Sequence, residues 1–406
     1  MSFPIWLRPG LSSSLRSWSH RIGIYSALDI AFPFLNASVT GRALQVPFVG
    51  PETLARKNGL GFAARLGANE SNFGPSPDAV MAMQSAAVET WKYADPTNFD
   101  LRGGIAEHFG FSIENIMVGE GIDGLLGDAC KIALGAGSTL VMSDGAYPTI
   151  AYHGINHGAE IVRVPFKDHR EDLDQLLEKV RAQDARVLYV SNPNNPMGSF
   201  WRHTEIDALI DAVPSSTLLL LDEAYADTAP PDAIPPLDVS CPNVLRFRTF
   251  SKAYGLAGAR IGYAIGHADV IGQFEKVRNH YGVNLIGQAG ALAALRDQAY
   301  LIETVARISE ARNRIEVIAR RTGFETLPSA TNFVTIDCRD AETADDIVRD
   351  LTAAGVFVRR PSVESLQRFV RVTTGTAAAL DIFESAWKAA SHKVCRDKEH
   401  TGKSRT

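Results

Sequence analysis

Residues 217–225 read TLLLLDEAY. Four consecutive leucines leave no polar face, so as a strand this run needs cover on both sides of its sheet. It then delivers Asp222 at its carboxyl end, with Tyr225 three residues on. Three other short runs share the character: STLVMS at 138–143, EIVRVPF at 160–166 and RVLYVS at 186–191. Around them, Leu173, Leu176, Leu177 and Val180 recur at helical spacing, as do Ile206, Leu209, Ile210 and Val213, and, upstream, Val80, Met83, Ala87, Val88 and Trp91. Strands covered on both faces and alternating with amphipathic helices make an α/β fold with a mostly parallel, doubly wound sheet. Ligands of such sheets gather beyond the carboxyl ends of the strands, which is where Asp222 falls.

Downstream of about residue 290 the character changes. A long apolar-periodic stretch reads as one or two helices leaving the sheet. NFVTID, the helix ETADDIVRDLTAAG ended by Gly355, and the strands VFVRR and RFVRVTTG then make a smaller α+β unit. The expected organisation is an extension over 1–46, an arm and strap over 47–84 joining the small domain, a large domain over 85–294, a small domain over 295–392 and a disordered polar tail over 393–406.

With 45% hydrophobic and 21% charged residues in 406, the composition is that of a soluble globular enzyme with room for two domains. Forty-one basic against 46 acidic residues give a net charge of -5, which points to neither nucleic acid nor an anionic membrane. Cys130, Cys241, Cys338 and Cys395 lie far apart, without a CxxC pair or a histidine at metal-ligand spacing, and read as reduced thiols of a cytoplasmic protein with no metal. No apolar run reaches the roughly 20 residues of a membrane span; IGIYSALDIAFPFL is broken by Asp29 and Pro33. The first 28 residues share the Ser- and Arg-rich, acid-free composition of a transit peptide but lack a cleavage pattern, and a plain extension is expected.

Other strand ends carry polar chemistry. SNPNNPMG at 191–198 is a turn, stiffened by two prolines, that presents Asn194 and Asn195. VGEGIDGLLGDAC at 118–130 opens a helix with glycines, so the amides of Gly121, Ile122 and Asp123 can face a phosphate. TFSKAYGLAGARIGY at 249–263 holds Lys252 in a glycine-punctuated turn, with Arg260 eight positions on. Taken singly, these are a surface lysine, a helix-capping aspartate and ordinary loops. In this order they supply what pyridoxal phosphate requires: an amine for its aldehyde, an acid for its ring nitrogen, donors for its phenolic oxygen and a cradle for its phosphate.

With ANESNFGPSP and WKYADPTNFDLR added, the set resembles the fold-type I, pyridoxal-phosphate-dependent aminotransferases of class I/II, most closely the histidinol-phosphate aminotransferase group, over residues 47–390. The resemblance implies an EC 2.6.1-type enzyme that moves an amino group between an amino donor and a 2-oxo acid. It implies that Lys252 bonds the cofactor and moves the proton at the substrate's α-carbon, that Asp222 pairs with the ring nitrogen, and that Tyr225 and Asn195 bond the phenolic oxygen. Arg260, Ser251, Thr249 and the helix-start amides would hold the phosphate, and Tyr147 would stack on the ring. Tyr93 would reach the phosphate of a neighbouring subunit, making a homodimer with shared sites. Arg371, with Arg359 as a second candidate, would receive the substrate's anionic group; Asn69 and Glu70 lie in a strap over the substrate, with Glu70 near its polar end.

Two positions depart from the group: Ile122 stands where a small polar residue is common, and Met197 where threonine is usual. Neither removes a catalytic group. Aromatic or other amino-acid transamination, or a decarboxylase, racemase or lyase on the same fold, stays open, because fold and cofactor do not fix which bond at the α-carbon breaks. A ligand-sensing regulator would need a DNA-binding module, and the leading residues carry no such pattern.

Overall fold

The computed structural model describes residues 34, 49–59 and 61–403; apart from Phe34, the expected extension over 1–46 lies outside the described residues. Strands in chain order are β1 (Ala64–Arg65), β2 (Ile116–Gly119), β3 (Thr139–Ser143), β4 (Glu160–Val164), β5 (Val187–Ser191), β6 (Leu218–Asp222), β7 (Val244–Thr249), β8 (Gly262–Gly266), β9 (Glu325–Thr326), β10 (Phe333–Asp337), β11 (Val356–Phe357) and β12 (Phe369–Thr373). Seven form one sheet in the order β2-β8-β7-β6-β5-β3-β4. The pairs from β4 through β7 are parallel, and β8 runs antiparallel to both its neighbours.

The four leucines of β6 explain the layering. Leu220 packs on one face with Leu140, Tyr189, Leu245 and Phe247. Leu219 and Leu221 pack on the other with Val141, Leu188 and Val190. A strand that feeds two cores cannot alternate polar and apolar, and each such leucine stabilises by about 1.5–3 kcal/mol.

The second unit is a three-stranded antiparallel sheet, β12-β10-β9, beside the parallel pair β1-β11. Its core joins Val334, Ile336, Val370 and Val372 to Ile315, Ile347, Phe383 and Trp387, and takes in Ala64 and Leu66 from the strap. The crossing-out stretch resolves into two helices, Leu285–Arg296 and Gln298–Arg321.

Two expectations are corrected. The helix Pro77–Ala87, capped by Ser76 accepting from the Ala79 amide at 3.2 Å, stops at Ala87. Its buried stripe is Ala79 with Met83, packed against Gly290 of the Leu285–Arg296 helix, so Val88 and Trp91 fall beyond it and are 76% and 82% exposed. The last helix, Ala377–Lys403, continues through most of the span expected to be a disordered tail. Val394 is buried in the small core, and Lys393 pairs with Asp350 at 2.9 Å, so the first turn of that span is tied down. No described helix is long and apolar enough to cross a membrane.

Candidate active site

β6 ends at Asp222, which is buried. Its Oδ2 accepts from the Tyr189 hydroxyl at 2.7 Å and its Oδ1 from the Ala224 amide at 2.9 Å. Burial raises its carboxyl above the usual range, against those bonds and the charge of Lys252. Directly behind it, Glu223 is buried between Arg246, whose Nε donates at 2.9 Å, and Arg248, whose Nε donates at 3.0 Å. This ion cluster, unforeseen from the sequence, anchors the strand end that carries Asp222.

From the neighbouring β7 the chain turns and presents Lys252. Its Nζ donates to the Asn69 carbonyl at 3.3 Å and lies 5.5 Å from the centre of the Tyr225 ring. Burial, then the charge of Arg371, lowers the ammonium to about 8, with Asp222 opposing. Tyr225 is buried, and its hydroxyl accepts from Asn69 Nδ2 at 2.8 Å. Asn69 has φ 55 and also meets Thr373, through its amide and its Oδ1, each at 3.0 Å. Sequence reasoning placed Asn69 only in the strap. The structure makes it the junction of Lys252, Tyr225 and Thr373; a short polar residue suits its left-handed backbone, but nothing local announced those partners.

Opposite lies a cradle. Gly121 opens a 13-residue helix with φ 74, and a Cβ there would sit 2.3 Å from Arg260 Nη2. A Cβ on Gly262 would sit 2.6 Å from the Ile122 amide. Bare glycines thus leave the helix-start amides approachable by an anion. Arg260 donates to the Ala257 carbonyl at 3.1 Å, and more distantly to Ser251 Oγ at 3.5 Å and the Glu120 carbonyl at 3.4 Å. Thr249 Oγ1 joins Ser251 Oγ at 3.0 Å. Ile122 turns its side chain into the core, so it offers the cradle only its amide. Asp123 lies 3.5 Å from His153 Nε2; burial raises its carboxyl, but bonds to His153 and Thr149 outweigh this and leave it below the usual range. Tyr147 is half-buried at the core's edge, and burial pushes its phenol up.

Two guanidinium groups come from the small unit. On β12, Arg371 is buried; Nη1 donates a short hydrogen bond to Asn195 Oδ1 and Nη2 donates to the Gly67 carbonyl at 3.0 Å. Burial lowers its guanidinium to about 10. Arg359 donates to the same Gly67 carbonyl at 3.2 Å and to the Val49 carbonyl at 3.0 Å. Glu70 pairs with Arg65 at 2.9 Å. Asn195 and Tyr225, expected side by side on one oxygen, have different protein partners here, Arg371 and Asn69. Tyr93 stands apart, 82% exposed, with its ring 4.9 Å from that of Tyr281. Among the described residues no three His, Cys, Asp or Glu side chains converge as a metal set.

A doubly wound sheet that ends in a buried acid, beside a lysine of depressed basicity and a glycine-lined helix start, defines a fold-type I enzyme built for a phosphorylated, carbonyl-bearing group. Residues 64–386 match the family model for aminotransferase class I and II, and the chain belongs to that family. A solved histidinol-phosphate aminotransferase from Sinorhizobium meliloti, in complex with pyridoxal-5'-phosphate, is 47% identical, covering 90% of this chain and 99% of that one with a TM-score of 0.87. Histidinol-phosphate aminotransferase 1 of Bacillus cereus is 34% identical, covering 81% of this chain and 89% of that protein. Histidinol-phosphate aminotransferase 1 of Thiobacillus denitrificans is 36% identical, covering 80% and 85%.

Proposed function

We propose that the chain is a pyridoxal-phosphate-dependent aminotransferase that exchanges an amino group between histidinol phosphate and the glutamate/2-oxoglutarate pair. The observation that carries this is Lys252, whose partly covered amine is lowered to about 8 within reach of Tyr225 and Asn69. The relatives named as histidinol-phosphate aminotransferases support the substrate. The residues fit the cofactor. Gly121 and Gly262 keep the cradle clear of side chains, and Lys252 is the amine.

When bound, pyridoxal phosphate supplies an aldehyde that takes amines and a ring that accepts the electron pair freed at a substrate's α-carbon. Lys252 would hold the cofactor and, once free, take or give a proton at Nζ; an amine lowered to about 8 can do both near neutral pH. Asp222 would keep a proton on the ring nitrogen, with Tyr189 orienting its carboxylate. Tyr225 and Asn195 would meet the phenolic oxygen. Arg260, Ser251, Thr249 and the amides of Gly121, Ile122 and Asp123 would hold the phosphate, and Tyr147 would lie on the ring. Arg371 and Arg359 would take a phosphate from one substrate and a carboxylate from the other, since the guanidinium fork matches both, with Glu70 at the polar end.

Tyr93 would complete the phosphate site of a second copy, giving a homodimer. Trp91, Tyr93, Phe99 and Tyr281, all exposed on this chain, are the apolar surface that supports that partner. Four free cysteines accord with a cytoplasmic setting.

The test is the absorption spectrum of cofactor-loaded protein as histidinol phosphate, glutamate and aromatic amino acids are added in turn. The yellow band of the lysine-bound cofactor is expected to disappear with histidinol phosphate and with glutamate. Conversion by aromatic amino acids alone would overturn the substrate, carbon dioxide release without an oxo-acid requirement would overturn the reaction, and no lysine-dependent band at all would overturn the site.

A further inference from the structure

Beneath the turn that carries Asn195 lies a carboxyl that the site described above does not use. Glu171 is 1% exposed, on the loop before the helix Leu173–Ala182. Its Oε1 accepts three bonds from the turn: the Ser191 amide at 3.2 Å, Ser191 Oγ at 3.1 Å and Asn194 Nδ2 at 2.6 Å. Its own carbonyl accepts from Trp201 Nε1 at 2.9 Å, closing the far side of the turn. Asn194 passes the constraint on, because its Oδ1 accepts from the Met197 amide at 3.2 Å, across Asn195.

The other half of the turn is held by the small unit. Thr335 Oγ1 donates to the Pro196 carbonyl at 2.7 Å, and the Ala330 amide donates to the Gly198 carbonyl at 2.9 Å. Met197 is buried with Leu366 and Phe369. Asn195, bonded to Arg371, sits at the joint between a half gripped by Glu171 and a half gripped by the small unit.

We propose that Glu171 is a positioning residue for the reaction: by gathering Ser191 and Asn194 onto one oxygen it fixes where Asn195 presents its side chain to the cofactor's phenolic oxygen. Burying a carboxyl is costly unless it is hydrogen-bonded, and three donors on one oxygen specify the turn's shape more tightly than apolar packing would. Burial pushes the carboxyl up to about 7 against the bonds from Ser191 and Asn194, so near neutrality a large share keeps a proton. Glutamine copies that protonated form in shape and acceptor, whereas leucine keeps the volume and removes the acceptor.

The inference rests on the reading of Lys252 as the cofactor's lysine. Its test is the pH titration of the yellow band of holoenzyme, with kcat and the thermal midpoint measured beside it. Glu171→Leu is expected to move the band's titration midpoint in the same direction as Asn195→Ala and to lower kcat about tenfold or more, with Glu171→Gln restoring both readouts towards the parent. The double variant Glu171→Leu/Asn195→Ala should shift the band no further than Asn195→Ala alone. Should Glu171→Leu fail to fold, Asn194→Ala removes the shortest of the three bonds and is expected to move the band likewise. A lowered thermal midpoint with the parent's band titration and kcat, in either variant, would overturn the proposal, as would additive shifts in the double variant. Failure of the underlying site reading looks different, because the parent itself would then lack a lysine-dependent band.

Discussion

Lys252 is the residue whose environment makes its pH behaviour most directly measurable. Its basicity is lowered from 10.5 to about 8 in the folded chain. Between those values the unfolded lysine holds a proton that the folded one has released, so cofactor-free protein should gain stability as pH climbs through the window, and a Lys252→Met variant should lose that gain. Below about 8 the folded lysine is charged too, and the cost of burying it is fully present. Denaturant unfolding of apo-protein across pH checks the sign. Cofactor uptake, which needs the neutral amine, should accelerate as pH rises through about 8 and level off above it, as stopped-flow absorbance would register. Lys252→Ala is expected to lower turnover on the order of a thousandfold or more, since it removes both the covalent hold and the proton carrier. The enclosed turn that holds the lysine was legible in the sequence because glycines punctuate it. Asn69 was not: its contacts reach 156 residues on to Tyr225 and 304 on to Thr373, distances that no local pattern carries.

Among the elements, the helix start at Gly121 is the sharpest case of backbone kept bare by its surroundings. Gly121→Ala would force an alanine to φ 74 and place its Cβ against Arg260. That strain costs about 1–3 kcal/mol, and the cofactor's dissociation constant, read by fluorescence titration, should rise tenfold or more. Gly258 lies in the same lysine-to-arginine turn with open space where a Cβ would go, so Gly258→Ala should change affinity less than twofold. The two glycines look alike in the sequence, and only their surroundings separate them. The buried strands β3, β5 and β6 were legible as apolar runs because helices cover both their faces. The two-residue strands β1, β9 and β11 were not, because a ladder that short leaves no period to read. The final helix was misread for a related reason. Its polar composition describes what solvent sees, while Val394 and the Lys393–Asp350 pair fix it from below.

At the scale of the whole molecule, the feature that composition hid is the exposed aromatic surface. Trp91 and Tyr93 are each 82% exposed and Phe99 63%, on a chain whose charge is otherwise nearly balanced. Large aromatic surface left open on one chain is what a second copy would cover. Light scattering should find the parent dimeric and Trp91→Glu shifted towards monomer, with activity falling in step. On the proposed shared site, Tyr93→Phe should leave the association intact while weakening cofactor binding several-fold, through loss of one hydroxyl. The change of periodicity near residue 290 marks where the chain leaves the seven-stranded sheet, but the return of Ala64 and Leu66 into the core of the later strands was not legible, since it joins segments from opposite ends of the chain.

The carbonyl of Gly67, which takes a hydrogen bond from each of two guanidinium groups, has a consequence for how the site tells its ligands apart. Arg359 and Arg371 share that oxygen at 3.2 and 3.0 Å, and the charge of Arg359 already disfavours that of Arg371. The shared oxygen fixes the two guanidinium groups side by side, so that an anion reaching one is held close to the other. A phosphate would bring three oxygens to that pair of forks, whereas a carboxylate would bring two. Discrimination between a phosphate-bearing partner and an ordinary amino acid would then begin with the number of oxygens each can offer the two forks.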